Sequence, residues 1–309
     1  MQDYPRTLLE LERRFGDEDR CRDYLFALRW PDGFVCLRCG GREAWRTTRG
    51  LWLCRACRMQ VSVMAGTIFQ DSKVPLTVWF RAMWQVTGQK HGISALGLQR
   101  VLGLGSYRSA WAMVHELRRA MVRPGREKLR GTIEVDETYW GAPGEGASGR
   151  RTFTKALVAI AAEAVPDTDR AVGRVRLARI SDITRASLHG FIRESIEPGS
   201  TVVTDGLQAY RSMNAYRHER RVQVSQDAGE EQLLPRVHRV ASLLKRWLLG
   251  THHGAIGHAH VDDYLNEFTF RFNRRTSASR GKFFYRLAQQ AVQVDPAPYD
   301  TLITSERQP

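Results

Sequence analysis

Four cysteines in two closely spaced pairs constrain the N-terminal part of this chain more than any other feature. The segments CLRCG at 36–40 and CRACR at 54–58 each contain the spacing C-x2-C. Each pair places two thiolates on one side of a tight turn, and two such turns complete the tetrahedral site of a structural Zn²⁺ ion. The spacing therefore predicts a closed zinc site with four ligands: Cys36, Cys39, Cys54 and Cys57. The fifth cysteine, Cys21, lies outside the pattern and is expected to pack within a helix.

Arginines and short aromatic segments surround the cysteine pairs. The segments WR at 45–46 and LWL at 51–53 predict the strands of a ribbon, and six arginines lie nearby: Arg38, Arg42, Arg46, Arg49, Arg55 and Arg58. The whole chain has 47 Lys+Arg against 33 Asp+Glu and a net charge of +14. Such a balance favours a polyanionic partner, most often nucleic acid. The ribbon arginines can neutralise phosphates or remain solvated surface, and the sequence leaves both readings open.

Membrane attachment and secretion are not expected. No stretch reaches the ~18 apolar residues that a membrane-spanning helix needs. The first residues, MQDYPRTLLELERRF, lack the basic start and apolar core of a secretory signal. We therefore expect a cytoplasmic protein whose paired cysteines bind metal instead of forming disulfides. With 309 residues, 42% of them hydrophobic, the chain can build a sizeable core in one to three domains.

Helical periodicity is evident over residues 4–30 and 75–122. The second region contains a turn, GLGS at 103–106, whose last residue, Ser106, can cap the helix that follows. This arrangement is compatible with a helix-turn-helix whose second helix contacts DNA. The contacts would come from basic residues of that helix: Arg108, His115, Arg118 and Arg119. A helical hairpin that only packs against its neighbours explains the pattern almost as well, so both possibilities stay open.

The pattern changes after VRPGREKLRG at 122–131, which has the composition of a linker. The segments that follow predict, in order, three strands, a helix and a strand: TIEVDETYW, TFTKALVAIAAEA, GRVRLARIS, ASLHGFIRESI and TVVTDG. A Gly-rich turn is expected at 141–151, and further helices at about 233–250, 259–275 and 282–293. In this order, the first and fourth strands can lie side by side and parallel, as in a ribonuclease H-like sheet.

Each of these two strands carries an aspartate, Asp136 in IEVDETYWG and Asp205 in TVVTDGLQAY. A single aspartate at a strand end is commonly structural. Two at matched ends, in a basic chain with a zinc ribbon, favour a site for Mg²⁺ or Mn²⁺, which prefer oxygen ligands. Two such ions can activate a water or a 3′-hydroxyl and stabilise the leaving oxygen of a phosphodiester.

Taken together, these segments resemble the bacterial insertion-sequence transposases that join an N-terminal zinc ribbon to a DDE-type, ribonuclease H-like domain. The resemblance covers about residues 18–292 and rests on six motifs: RCRDYLFALRWPDGFVCLRCG, LWLCRACRMQVSVMAGTIFQDSKVPLTVWFRAMW, IEVDETYWG, VVTDGLQAY, VHRVASLLKRWLLGTHHG and YLNEFTFRFNRR. It implies an α/β fold class, in which a zinc ribbon and a helix-turn-helix-like region precede a mixed-sheet catalytic domain. The domains expected are an N-terminal helical and zinc-ribbon domain at 1–65, a helical DNA-binding region at 66–122, a linker at 123–130, a ribonuclease H-like domain at 131–295 and a tail at 296–309.

The resemblance also implies a function. A DNA transposase of this kind cleaves at the element ends in a metal-dependent reaction, and the freed 3′-hydroxyl then attacks the target DNA. Asp136 and Asp205 would be the first two ligands of Mg²⁺ or Mn²⁺, Zn²⁺ would be structural, and a homodimer or larger assembly would form on DNA. A nuclease or resolvase that cuts without joining, and a non-catalytic DNA-binding protein derived from a transposase, are the alternatives.

The third site residue departs from the family pattern, which expects Glu or Asn with a Lys seven residues later on the same helix. Anchoring on LLKR places His238 at the third position and Lys245 seven residues on. Residues seven apart share a helix face, so both can point at the site, although hard Mg²⁺ prefers oxygen to imidazole. Three glutamates are rivals for this position: Glu230, Glu231 and Glu267. An ordinary i,i+4 pair with Arg271 would explain Glu267.

Two further features concern charged residues near the expected site. Glu137 adjoins Asp136 but faces the other side of a strand, so a salt bridge is expected for it. The segment RFNRRTSASRGKFFYRL interleaves aromatic residues with Arg271, Arg274, Arg275, Arg280 and Lys282. This composition suits a DNA channel and equally suits the basic edge of a helical core.

Overall fold

The computed structural model of the protein describes residues 3–123, 125–140, 155–168, 170–222, 233–252, 260–297 and 299–304. The Gly-rich turn expected at 141–151, and the candidate ligands Glu230 and Glu231, lie outside these residues. The chain divides into two compact units, one of Met1–Pro124 with Thr276–Arg307 and the other of Gly125–Arg275. Within the described residues, no helix combines the length and the apolar composition needed to cross a membrane.

The first unit begins with two helices, a small sheet and three more helices. In chain order these are α1 (Leu8–Arg14), α2 (Glu18–Arg29), β1 (Ala44–Arg46), β2 (Trp52–Cys54), β3 (Gln60–Val61), α3 (Leu76–Gly88), α4 (Ala95–Leu102) and α5 (Tyr107–Ala120). The three strands form an antiparallel sheet in the order β1-β2-β3. Side-chain oxygens accept hydrogen bonds from backbone N–H groups at the start of several helices, which supplies part of the bonding that helix termini lack. Ser106 caps α5 in this way, as its position predicts.

Among its described residues, the second unit contains the large sheet and three helices. In chain order these are β4 (Thr132–Trp140), β5 (Ala156–Ala164), β6 (Val172–Ile180), α6 (Arg185–Ser195), β7 (Thr201–Thr204), a 3-10 turn (Gln208–Tyr210), β8 (Arg217–Arg220), α7 (Pro235–His252) and α8 (Val261–Phe272). The five strands lie in the order β6-β5-β4-β7-β8. Strands β4, β5 and β6 are antiparallel neighbours, whereas β7 is parallel to both β4 and β8. The sheet is therefore mixed, as expected.

Helices cover both faces of this sheet because its strands alternate apolar side chains between two cores. On one face, Ile133 and Val135 of β4 pack with Leu188 and Ile192 of α6. On the other face, the apolar stripe of α7, with Val237, Val240, Leu244 and Leu248, packs with β5, β6 and α8. Even-numbered residues of β4 consequently face α7, and odd-numbered residues face α6.

The chain ends with two helices that belong to the first unit, α9 (Arg280–Ala291) and α10 (Tyr299–Thr304). Helix α9 was expected in the catalytic domain at 131–295, but Phe284 packs against Phe80 of α3 and against Phe15, with ring centroids 5.6 and 6.0 Å apart. Cys21 is fully buried in the same unit, which agrees with its expected packing role, and burial raises the pKa of its thiol to about 12.

Two other segments differ from the expected organisation. The tail expected at 296–309 contains α10, in which Leu302 is buried. Most of the linker expected at 123–130 belongs to the second unit, which begins at Gly125. Within that unit, the Leu129 N–H donates to the Ser195 carbonyl and the Leu129 carbonyl accepts the Glu197 N–H, both at 2.8 Å. Strand β8 was not expected at all, since Arg217–Arg220 carries no apolar alternation.

Candidate active site and zinc centre

The four paired cysteines form a compact cluster in the small sheet. Cys36 and Cys57 sulfurs lie 3.6 Å apart, Cys39 and Cys54 sulfurs also lie 3.6 Å apart, and all four lie within 4.8 Å of one another. A tetrahedral Zn²⁺ ion with Zn–S bonds of about 2.3 Å requires sulfur separations of roughly 3.8 Å. The donor set and its spacing therefore fit zinc, in the closed arrangement of a structural site.

The two cysteine turns have matching backbone geometry. Cys36 N–H donates to Gly41 and Cys54 N–H donates to Met59, both at 2.9 Å, while the amides of Gly40 and Arg58 return to Cys36 and Cys54 at 3.0 Å. Both Gly40 and Arg58 have positive φ, at 72° and 59°. Backbone N–H groups of Cys39 and Arg38 lower the pKa of the Cys36 thiol to about 6, which favours the thiolate that binds metal.

Asp136 and Asp205 meet at the junction of two parallel strands. The register pairs Thr132 with Thr201 and Glu134 with Val203, so two residues further along Asp136 and Asp205 reach the same level. Asp205 directly follows the end of β7, and its Oδ1 accepts the Leu207 N–H at 2.9 Å, which turns the chain away from the sheet. Burial raises the pKa of Asp136 and the charge of Asp205 raises it further, whereas the Glu137 amide and His238 lower it. A cation between the two carboxylates would relieve this repulsion.

His238 lies beside this pair. Its Nε2 atom is 3.4 Å from Asp136 Oδ2, and the side chains of His238 and Asp136 are 46% and 20% exposed. The imidazole comes from α7, whose opposite face is buried against the sheet. Lys245 lies seven residues further on the same helix and is also exposed. Asp136, Asp205 and His238 therefore converge, and Lys245 extends from the same helix face.

Glu134 and Arg236 form a buried ion pair next to the cluster. Arg236 Nη1 lies 2.8 Å from Glu134 Oε1, and the two side chains are 11% and 1% exposed. Glu134 Oε2 also accepts the backbone N–H groups of Arg236 and Val237 at 2.7 and 3.1 Å. The start of α7 is thus attached to β4 two residues before His238.

Glu137 lies on the opposite face of β4 from Asp136, as strand alternation predicts. Its carboxylate accepts a hydrogen bond of 2.7 Å from the hydroxyl of Tyr210, which is fully buried, instead of forming the expected salt bridge. Burial raises the pKa of Glu137, and the Tyr210 hydrogen bond lowers it. Because Tyr210 ends the 3-10 turn after Asp205, this bond attaches the Asp205 loop to β4.

Glu267 has a different environment from the other candidate ligands. Its side chain is fully buried, and Arg271 Nε lies 2.9 Å from Glu267 Oε1, which is the i,i+4 pair that its sequence position predicts. Helix α8 packs against β6, and β5 separates β6 from β4.

Only part of the expected DNA surface is exposed. His115 and Arg118 are 0% and 2% exposed, so the expectation that they contact DNA is wrong for this packing of α5. Arg108 is exposed, with its guanidinium 3.7 Å from the ring centre of Tyr299. Arginines near residue 275 also have local partners: Arg274 lies over the Phe270 ring at 3.9 Å, and Arg275 donates to the carbonyls of Gly173, Phe272 and Val172.

The ribbon arginines fall into two groups. Arg46 forms ion pairs with Asp19 and Asp23, and Arg55 pairs with Glu43. Arg58 lies 5.4 Å from the ring centre of Trp45, which is 44% exposed. Arg38 and Arg42 are exposed as well. Arg49 is exposed too and donates to Gln60 at 2.9 Å, so Arg38, Arg42, Arg49 and Arg58 are the ribbon arginines outside these ion pairs.

Sequence reasoning overlooked three residues that support the site, namely Glu134, Arg236 and Tyr210. A signal existed for Glu134, because a carboxylate two residues before Asp136 in a strand must share its face and face a helix. Arg236 and Tyr210 gave no such signal, since each acquires its partner only through tertiary packing.

Comparison with known proteins agrees with this geometry. Residues 16–60 match the family model described as a transposase zinc-ribbon domain, and residues 128–273 match the model described as an ISXO2-like transposase domain. An uncharacterized protein in transposable element ISH50 of Halobacterium salinarum is 25% identical over 276 residues, which covers 84% of this chain and 92% of that protein. The two matched domains occur in the order that the cysteine cluster and the mixed sheet have in the structure. The chain thus belongs to the insertion-sequence transposases that carry an N-terminal zinc ribbon and a DDE-type domain.

Proposed function

We propose that the protein catalyses metal-dependent cleavage of DNA at insertion-sequence ends, followed by strand transfer with the freed 3′-hydroxyl. Membership of a transposase family supports an enzyme that acts on DNA. The observation that carries the proposal is the convergence of Asp136 and Asp205 on adjacent parallel strands, with His238 3.4 Å from Asp136. Two carboxylates and an exposed imidazole form a donor set that suits a divalent cation open to substrate.

Asp136, Asp205 and His238 would hold Mg²⁺ or Mn²⁺, which supplies activation of the attacking hydroxyl and stabilisation of the leaving oxygen when bound. The two carboxylates bring negative charge to one point and select a divalent cation there. Lys245, on the same face of α7 as His238, would contact the DNA backbone near the reacting phosphate. Zn²⁺ at Cys36, Cys39, Cys54 and Cys57 would be structural.

Recognition of the element ends would lie in the first unit. Arg38, Arg42 and Arg58 with Trp45 offer an exposed basic and aromatic surface on the ribbon. Tyr107 and Arg108, at the start of α5, are also exposed. A homodimer or larger assembly would pair two ends on DNA, and sedimentation of the protein with and without end DNA measures this directly.

The test uses purified protein, Mg²⁺ or Mn²⁺, and DNA that carries the element ends with a supercoiled target. We expect cleaved ends and joined products from the parent, and neither from Asp136→Asn or Asp205→Asn. Asp182→Asn is the matched control, because Asp182 is an exposed carboxylate of the same unit that accepts hydrogen bonds from Thr184 and Ser187. Asp136→Asn and Asp205→Asn variants that cleave and join like the parent would overturn the site, and cleavage without joined products would make the protein a nuclease.

A further inference from the structure

The contact between β4 and α7 consists of two polar pairs in tandem. Glu134 precedes Asp136 by two residues on β4, and both face α7 because strand side chains alternate. Arg236 precedes His238 by two residues at the start of α7. Glu134 pairs with Arg236 in the interior, and Asp136 contacts His238 nearer the solvent. The buried pair therefore lies directly beside the pair that belongs to the proposed site.

Glu134 fixes the first turn of α7 through its backbone as well as its side chain. The carboxylate accepts the N–H groups of Arg236 and Val237, which have no partner within the helix. A carboxylate at this position also interacts favourably with the positive end of the helix dipole. The helix can therefore neither slide along β4 nor rotate without losing these hydrogen bonds.

Arg236 attaches the same turn to a second segment. Its Nε and Nη2 atoms donate to the carbonyls of Ala171 and Thr168 at 3.1 and 2.7 Å, while Nη1 binds Glu134. A buried ion pair alone is weak evidence for stability, because desolvation offsets most of its attraction, and fixing a register is its best-attested use. The Glu134–Arg236 pair fits the use as a register-fixing pair, because the hydrogen bonds of both side chains hold the first turn of α7 in one position.

We propose that Glu134 and Arg236 are positioning residues, which set the register of α7 on β4 and thereby hold His238 at Asp136. The inference rests on the proposed function, because that function gives His238 its role. Each residue of a helix turns by about 100° and rises about 1.5 Å. A shift of α7 by one residue would therefore turn the imidazole away from Asp136.

The test compares Glu134→Gln with Glu163→Gln. Glu163 is a matched control, because its carboxylate also binds an arginine, Arg174 at 2.8 Å, and also accepts two backbone N–H groups, from Arg130 and Arg174. It lies on β5 and does not bind α7. Both substitutions remove a carboxylate that binds an arginine and backbone amides, and the two side chains are 1% exposed for Glu134 and 14% exposed for Glu163. A merely structural effect should therefore appear in both.

Three quantities are measured: the thermal midpoint, the cleavage of end DNA, and the broadening of the His238 ring-proton NMR resonance by Mn²⁺. The resonance of His238 is identified by its disappearance in His238→Gln. Replacing residues that orient a metal ligand commonly lowers affinity or activity about 10–100-fold. We expect Glu134→Gln to lose cleavage by that factor and to lose the His238 broadening. Glu163→Gln is expected to lower the thermal midpoint while keeping cleavage and broadening at the parent's level.

A second variant separates folding from positioning. In Glu134→Leu/Arg236→Met neither charge of this pair remains, so the variant avoids the cost of one buried charge left without its partner. We expect it to fold and still lose cleavage and broadening. Parent-like cleavage and broadening in the folded double variant or in Glu134→Gln would overturn the positioning role of Glu134 and Arg236, but would leave the proposed function unaffected. An unbroadened His238 in the parent, with His238→Gln cleaving normally, would overturn the assigned role of His238 and this inference together.

Discussion

The zinc centre and the acidic centre of this protein are built in different ways. The four paired cysteines come from residues 36–57, and the turns that hold them are closed by hydrogen bonds within residues 36–59. Asp136, Asp205 and His238 come instead from a central strand, the loop after its neighbour and a helix. The acidic centre therefore depends on packing between elements that are distant in the chain.

The supports of the two centres differ accordingly. The cysteine turns need only their own amides, such as those of Gly40 and Arg58. The acidic centre has a support on each face of β4, with Glu134 binding α7 and Glu137 binding Tyr210. Changes elsewhere in the chain should consequently leave the zinc centre intact and disturb the acidic centre. The following predictions test this difference.

The largest effect is expected from removal of a zinc ligand. Cys36→Ser should lose Zn²⁺ and unfold the β1–β3 sheet, because structural zinc in small domains supplies about 10–16 kcal/mol of apparent binding free energy. Metal analysis and limited proteolysis within residues 36–61 measure the result. Cys21→Ala is the control, since Cys21 is not a member of the cluster and should leave zinc content unchanged. A Cys36→Ser variant with full zinc and parent-like protease resistance would contradict the four-cysteine site.

The next effect concerns the third residue of the acidic centre. His238→Ala should lower the rate of DNA cleavage about 100-fold, which corresponds to roughly 2.7 kcal/mol, because the imidazole proposed to hold the metal is lost. His238→Glu should retain cleavage with Mg²⁺, since oxygen is the ligand that this ion prefers. Zinc content should not change in either variant. Ser242→Ala, one turn further along α7 and also exposed, is the control; undiminished cleavage by His238→Ala would remove His238 from the site.

A smaller effect is expected from loss of the hydrogen bond between Tyr210 and Glu137. Tyr210→Phe leaves the half-buried Glu137 carboxylate without this donor, which should lower the free energy of unfolding by about 1–3 kcal/mol. Urea denaturation measures this change, and DNA cleavage should fall with it because the Asp205 loop is released. Tyr216→Phe is the matched control, since its hydroxyl donates to the Ile196 carbonyl in a longer bond of 3.3 Å. Equal losses in both variants would argue against a special role for Tyr210.

The smallest effect concerns pH. His218, on β8, hydrogen bonds Thr204 at 2.9 Å, and burial lowers the pKa of His218 below its ordinary value of 6.5. The unfolded chain then binds the proton more readily, so the stability from neutral His218 is present above pH 6.5 and is lost as pH falls below it. We expect His218→Gln to flatten the fall in thermal midpoint between pH 7 and 5. An unchanged pH profile would show that His218 does not contribute.

Several elements could be predicted because their signals are local. Helix α7 has apolar residues at Val237, Val240, Leu244 and Leu248, and its exposed face carries His238 and Lys245 as helical spacing requires. Ser106 caps α5 for an equally local reason. The segment Arg217–Arg220 gave no strand signal, because an edge strand made of charged residues and histidine lacks apolar alternation. Likewise, α9 carries ordinary amphipathic spacing, which cannot specify the unit in which it packs.

Local spacing was enough to predict the cysteine quartet, the order of β4, β5, β6, α6 and β7, and the two aspartates, since each of these signals extends over a few residues. Tertiary packing, in contrast, is what buries His115 and Arg118, joins Glu134 to the start of α7 and joins Tyr210 to Glu137. The physical reason is that a charged side chain can be buried wherever packing supplies its partners. Those partners come from distant segments, and no local pattern specifies them.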